Sequence, residues 1–580
     1  VNMRIELISD VLRENNLEYP TLAVLQSTED LYTALLLQPA ARVTVREDFI
    51  RNSDCDQAHQ LFSSIAREAH ARAVELFVTP EYSFPWKTIE ELLNAGITPA
   101  AGKLWVLGCE SLSLGELAGL KARFAGRATV IHENLAQQPA AARFLDPLVY
   151  LFRTRELNAG PEHIVMVVQF KTAPSGDPQN IEATRMAKGE EVYLFERGKE
   201  VRLISIICSD AFGFDQDLVK DNYEHLLLLH IQLNDSPRNE AYMRYRRQLY
   251  DYDCDSTEVI CLNWAENIWF DMKDGAAPLR KTNIPASAWH SKSKKFATED
   301  EVVDGNHRKG LYYTYETGQH RHMVHFSYRP AAFVLEATKV RHHGVEAARS
   351  RRRGPALTHV LHWDGAKGAW AEAVPPADDG FAAMTDDYGA SVRMLNGIHA
   401  TSPLNVERLA CITNGEFGPR QDWFEAPNIF TMGLESRAEV MRRISVALDP
   451  EGTLFRDHRI RAVSALASIS AGDLPVPSHM KDIQQGYEFG WSRQAPNCNV
   501  SSLVDHRPAA LVYAGENPAQ TTLRNLSAKV TAITAKSDYA DRFCVLYREG
   551  PDVKRFAAPN EPSITKIDSH PGKNFTEPEK

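Results

Sequence analysis

Cysteine is scarce, with eight residues in 580 and no CxxC pair among them. That excludes a disulfide framework and a zinc-finger spacing. Each cysteine is by default a small buried hydrophobe unless its neighbours say otherwise. No apolar run approaches the ~20 residues that span a bilayer; the longest, around Leu226–Leu229, is strand-sized. The stretch Val1–Pro20 mixes Glu and Asp with its leucines, so no secretory signal and no membrane association are expected, and a cytoplasmic location is. Basic charge is not in excess either: 65 Lys+Arg face 76 Asp+Glu, a formal net charge of -11. Broad, charge-driven binding to nucleic acid is therefore not expected. Neither a GxGxxG nor a Walker A loop is present, so a glutamine-dependent synthetase is not expected.

What remains is a composition for packed cores, 43% hydrophobic and 24% charged, at a length suited to about two to four domains. From Pro20 to about Val340, short apolar runs alternate with amphipathic segments, which predicts layered α/β architecture. Thr21–Gln26 reads as a first strand. Asp56–His70 places Ala58, Leu61, Phe62, Ile65, Ala66 and Ala69 on one helical face. Strands are then expected at Val74–Thr79, Lys103–Gly108, Ile164–Phe170, Val201–Ile207, His225–Leu233 and Glu258–Leu262. These runs are continuously apolar, so they should be covered on both faces.

This first domain is assigned residues 1–340. Residues 341–355 follow as a basic linker; RHHGVEAARSRRR has no interleaved aromatic to stack on a base. Residues 356–556 read as a C-terminal α/β domain of unknown role. It opens on a hairpin at His359–Trp370, turning at Asp364-Gly365. Helices are expected at Leu434–Leu448 and Arg456–Ile469, then a β-α-β unit made by Ala509–Ala514, a helix through Leu523–Ile533, and Phe543–Tyr547. Residues 557–580 have little apolar content and read as a disordered tail.

Three of the buried-type strands end in a residue able to do covalent or proton chemistry. Glu81 follows VELFVTP, Lys171 follows VMVVQF, and Cys208 follows LISII. Strand ends are where α/β proteins gather their sites. Brought together, a thiolate attacks an electrophilic carbon, a carboxylate moves protons, and an ammonium stabilises the developing anion.

The ordered set PEYSF, FK and ICSDAFGF resembles the nitrilase superfamily, the carbon–nitrogen hydrolases, over a little more than half the chain. Glu182, Gly189, the strand HLLLLHIQLNDSP with Asn234, and VICLNWAEN with Asn263 fit the same order. The resemblance implies a four-layer αββα sandwich that associates as a homodimer or larger homo-oligomer. It implies a thiol-dependent hydrolase of non-peptide C–N bonds with no cofactor and no metal, acting on a small amide, carbamoyl compound or nitrile, amidase ranking above nitrilase. Residue by residue, Cys208 is the implied nucleophile, Glu81 the general base, and Lys171 the oxyanion holder, helped by the backbone N–H of Ser209. Glu182 would position substrate and Lys171, with Asp210 and Asn234 in supporting places. After its cysteine the family usually carries an aromatic, an acid and an aromatic-proline pair, whereas this chain has Ser209, Asp210 and AFGF. That departure motivates the alternative: an inactive nitrilase-like scaffold, or a signalling-metabolite binding subunit of a multi-protein system. Leu112–Asp146 reads as an insertion that forms a lid or an oligomer contact.

Two clusters carry less. On a strand, His320 and His322 would share a face and His325 point away, with no HExxH or cysteine partner nearby. Asp251, Asp253 and Asp255 alternate, but the glycine and distal glutamate of a calcium loop are missing.

Overall fold

The computed structural model describes residues 3–40, 42–135, 138–158, 160–175, 180–198, 200–252, 257–271, 278–281, 287–292, 296–340, 354–374, 377–417, 420–431, 439–535 and 537–557. Residues 341–353 of the expected basic linker, Asp253, Asp255 and all but the first residue of the expected tail lie outside them. Among the described residues, no helix is long and apolar enough to cross a membrane.

The chain divides into two compact units, Val1–Ala297 with Gly305–Ala377, and Thr298–Asp304 with Asp378–Lys580. The first is built on two large sheets. One runs Arg4–Leu7, Glu191–Phe195, Arg202–Ile207, Leu226–Ile231, Glu258–Leu262, Ala288–Ser291, Arg321–Phe326, Leu311–Glu316. The other runs Ala369–Glu372, Ala356–Asp364, Ala331–Thr338, Leu31–Gln38, Leu76–Phe84, Leu104–Cys109, Pro147–Arg155, Glu162–Phe170, Thr129–His132.

Each sheet spends one face on helices and the other on its partner. Helices Cys55–Ala71 and Trp86–Asn94 pack on Leu35, Leu37, Phe77, Trp105, Leu107, Val149 and Met166, the outward set of the nine-stranded sheet. The first is started by Asp54, whose carboxylate accepts from the amide of Gln57 at 2.9 Å. Helices Gln216–Asn222 and Glu240–Asp251 cover Ile204, Ile206, Leu226, Leu228 and Val259 on the eight-stranded sheet. Between the sheets, Tyr150 and Phe152 meet Phe195 at 5.0 and 6.0 Å. Gln169 closes the polar gap there: its amide donates to Ser205 O at 2.9 Å and its oxygen accepts from Tyr193 N and Tyr150 OH. The layers are therefore α, β, β, α, as expected. The strands read as covered on both faces are so; every residue of Leu226–Ile231 is buried.

Four expectations need correction. Thr21–Gln26 is no strand but a short 3-10 turn at Ala23–Leu25; the first strand of the nine-stranded sheet in the chain is Leu31–Gln38. Leu22, Val24 and Leu25 are buried as apolar content required. The carbonyls of Ala23 and Gln26, however, accept from Lys339 Nζ at 2.6 and 2.8 Å instead of from a neighbouring strand. Of the two roles expected of Leu112–Asp146, a lid or an oligomer contact, the lid is the one to correct, since its strand Thr129–His132 pairs in parallel with Glu162–Phe170 at the sheet's edge. The hairpin expected at His359–Trp370 forms, but it extends the nine-stranded sheet, so the first compact unit runs past residue 356 to Ala377.

The fourth lies in the second unit. Residues 439–449 are not helical, and 434–438 lie outside the described residues. Buried carboxylates take the amides a helix would use: Met441 N donates to Asp449 and Ser445 N to Glu407, at 2.9 and 3.0 Å. The helix expected at Arg456–Ile469 is present as Thr453–Ala467. The β-α-β unit is present too, with Pro508–Glu516 and Phe543–Glu549 paired in parallel through helix Gln520–Thr534.

Candidate active site

The strands Leu76–Phe84 and Glu162–Phe170 run in the same direction, because Leu104–Cys109 is parallel to the first and two antiparallel steps from the second. Their C-terminal ends share one edge of the nine-stranded sheet, which brings Glu81 and Lys171 together. Cys208 follows Arg202–Ile207 in the other sheet, so it approaches from across the sandwich.

The strand carrying Glu81 does not stop at Pro80 but continues to Phe84 with an irregular register against Leu104–Cys109. Within that bulge Tyr82 has φ +55°. The close approach rests on Gly108, where a Cβ would lie 2.1 Å from the carbonyl oxygen of Pro80. Trp264 Nε1 donates to Glu81 O at 2.7 Å, and the amide of Leu233 donates to the Glu81 carboxylate.

Lys171 is fully buried. Its Nζ lies 2.6 Å from Glu81 Oε1, 2.7 Å from Glu182 Oε2 and 3.5 Å from Asp146 Oδ2. Glu182 also accepts from Ser175 N and Oγ at 2.6 and 2.8 Å and from Tyr82 OH at 2.9 Å. Three carboxylate oxygens thus come within 4.8 Å of one another, a spacing that would suit a metal ion. Here the ammonium of Lys171 is the cation they surround.

Three buried carboxyls and one ammonium cannot all be charged without cost. Burial opposes the Glu182 carboxylate, but Lys171 and the Ser175 donors overcome it and hold its pKa below the usual range. Burial pushes Asp146 well up, and the charge of Glu81 pushes it further. Burial also raises Glu81, against the pull of Lys171. Burial works against the ammonium of Lys171, yet the surrounding carboxylates keep it charged, far above its ordinary value. The cluster therefore favours the charged form at Glu182, beside Lys171, and the protonated form at Asp146 and Glu81.

Cys208 is buried and sits at φ +42°, a conformation L-residues seldom adopt outside functional turns. Burial raises its thiol pKa and Glu81 raises it further, with Lys171 and a hydrogen bond shared with Tyr242 pulling the other way. The 3-10 turn Cys208–Phe212 is fastened to the loop after Lys171 by Asp210. One oxygen of Asp210 accepts from Thr172 N, Thr172 Oγ1 and Ala173 N at 2.7–3.0 Å, and the other from Ile207 N at 3.1 Å. Ser209 Oγ adds a bond to Ala173 O at 2.6 Å.

The structure thus gathers Glu81, Lys171 and Glu182 by direct contact, and ties Cys208 to them through Ser209 and Asp210. Asn234 is spent elsewhere: its side chain binds Gln232 and caps Ser236 N, and its backbone pairs with Asn263. His322 is engaged by Tyr313 OH at 2.9 Å and stacks on Phe296, while His320 precedes the strand in a left-handed turn. Sequence reasoning missed Asp146, Tyr82 and Tyr242. Asp146 carried the same signal as the others, a chemical residue at the edge of a buried run, PLVYLF, but at its start instead of its end. The tyrosines carried none.

No protein-family model matches the chain, and no curated protein does. Among solved structures, the chain is similar to glutamine-dependent NAD+ synthetase from Acinetobacter baumannii at 10% identity and a TM-score of 0.30, over 90% of this chain and 65% of that one. It is also similar to an amidase from Nesterenkonia sp. at 13% identity and a TM-score of 0.24, over 42% of this chain and 79% of that one. A mutant of the Nesterenkonia AN1 amidase, described as a nitrilase-superfamily enzyme, gives 14% and 0.23 over 42% and 78%. This chain spans less than two thirds of the length of the synthetase. At such scores these likenesses carry no argument, and the αββα fold rests on the sheets and helices described above.

Proposed function

We propose that the chain is a thiol-dependent hydrolase of non-peptide C–N bonds, an amidase or carbamoylase in preference to a nitrilase, with a small molecule as substrate. The observation that carries this reading is the buried cluster of Glu81, Lys171 and Glu182, bonded at 2.6–2.7 Å, whose charges act on the thiol at the strained turn of Cys208.

In this reading Glu81 takes the thiol proton and the sulfur of Cys208 bonds to the carbonyl carbon. The oxyanion that forms is met by Lys171 Nζ and the backbone N–H of Ser209. Collapse breaks the C–N bond, and Glu81 returns the proton to the departing nitrogen. Water, deprotonated by Glu81, then attacks the thioester and frees the acid and the thiol. A carboxyl raised by burial, as Glu81 is, suits a group that must both take and give a proton near neutral pH. Glu182 remains ionised and keeps Lys171 charged and aimed.

The test is Cys208→Ala assayed for ammonia or amine release from a panel of small amides and carbamoyl compounds. Turnover should vanish while the melting temperature stays near that of the wild type. Turnover retained in the variant would sink the mechanism.

A further inference from the structure

Helix Glu240–Asp251 reaches the Cys208 turn at two points, from residues three apart on one face. Tyr242 places its hydroxyl 3.6 Å from Cys208 Sγ. Tyr245 acts through His230, which is fully buried. His230 Nε2 lies 2.9 Å from Cys208 O, and a carbonyl can only accept, so Nε2 carries the proton. Nδ1 is then the acceptor, and it receives Tyr245 OH at 2.7 Å and Gln232 Nε2 at 3.0 Å. An imidazole held at both ring nitrogens thus pins the carbonyl of the strained residue. Tyr242 is fixed beside it, its ring 4.9 Å from that of Phe212 and 6.3 Å from that of His230.

We propose that Tyr242 is a catalytic residue of the thiol: its O–H donates to the Cys208 thiolate while the thiol proton resides on Glu81. The proposal rests on the reading of Cys208 as nucleophile. Three features favour the phenol as donor. The carboxyl cluster lies around Lys171, so the thiolate needs a hydrogen-bond donor that brings no negative charge. Burial, and then the charge of Cys208, raise the phenol pKa, so the hydroxyl keeps its proton throughout the working range. The bond also works in the right direction, lowering the thiol pKa against burial. Tyr242 neither gains nor loses a proton, and the electron count at sulfur is unchanged.

The experiment follows alkylation of Cys208 by iodoacetamide, read by peptide mass spectrometry, against pH in the full chain. Wild type is compared with Tyr242→Phe, with Tyr242→3-fluorotyrosine and with Lys171→Met. Losing a hydrogen bond to a charged group should move the Tyr242→Phe profile up by about one pH unit, about a tenfold slower reaction below its midpoint. The fluorinated phenol is a stronger donor of the same shape and should move the profile down, which keeps the test decisive if the Phe variant folds poorly. Profiles for both variants that coincide with wild type, while Lys171→Met still shifts, overturn the role of Tyr242 and leave the nucleophile standing. A Cys208 inert in wild type at every pH overturns both.

Discussion

Replacing Lys171 with methionine tests the charge arrangement without any substrate. Methionine retains much of the apolar stem and removes the ammonium from between oxygens at 2.6, 2.7 and 3.5 Å. Removing one partner of a buried ion pair costs about 3–5 kcal/mol when the other is left charged. Glu182 need not remain so. Its pKa is low because Lys171 and Ser175 outweigh burial; without the ammonium, burial prevails and the carboxyl takes up a proton. The sign follows by linkage. In the wild type the folded pKa of Glu182 lies below the unfolded value of roughly 4.3, so its contribution is present above that value and lost as pH falls through the folded one. In the variant the folded pKa lies above the unfolded one, so stability is lost as pH rises through it. The two stability curves must therefore converge on acidification. Thermal melts followed by near-ultraviolet circular dichroism should show the widest gap at about pH 8 and a much smaller one at about pH 5. A gap that is constant with pH, or widens toward acid, would refute the claim that Lys171 and Glu182 hold each other charged.

Two further substitutions, one of them paired with a control, probe the same cluster. Gly108→Ala should lower the melting temperature by the equivalent of about 1–3 kcal/mol, because its Cβ meets the Pro80 backbone at 2.1 Å and must displace the Glu81 bulge. Gly119→Ala, in open space on the helix Leu114–Arg123, is the control and should be neutral or stabilising, so equal losses in both would remove the argument. Asp146→Asn should gain stability relative to wild type as pH rises. The raised pKa of Asp146 means the wild type loses stability on ascending from the unfolded to the folded value, and asparagine has no proton to lose. Melts that show the variant falling behind in alkali would contradict a protonated Asp146.

The sequence was most legible where burial and chemistry coincide. Glu81, Lys171 and Cys208 each end a run too apolar to be anything but an interior strand, so their polar side chains had few places to go but a shared crevice. It was least legible where a distant side chain satisfies the backbone. Nothing within Thr21–Gln26 announces that Lys339 will take two of its carbonyls. Likewise nothing within 439–449 announces that Glu407 will take an amide. Leu31–Gln38 pairs with Ala331–Thr338, 300 residues later, and its LYTALLLQ pattern fits a helix as readily until that partner is known. Tyr242 belongs to the same class, since its proximity to Cys208 depends on how a helix crosses a sheet.

The turn after Cys208 shows how a buried side chain can fix a local sequence that has no proline. SDAFGF has no proline to stiffen the chain directly, and Gly213 has an ordinary right-handed conformation at φ -93°, so glycine is not required there. Rigidity comes instead from the side chain of Asp210, whose bonds to Thr172, Ala173 and Ile207 span from one sheet to the other, and from its carbonyl, which accepts from Gly213 N and Phe214 N. Burial raises Asp210 to a pKa of about 6 while those donors oppose it. Above that value its carboxylate can accept every bond; below it, protonation replaces an acceptor with a donor where four hydrogens already converge. The same residue that positions Cys208 therefore makes that position conditional on pH. The loop it holds is the one that carries Lys171, so the thiol and the ammonium are placed by a single buried acid.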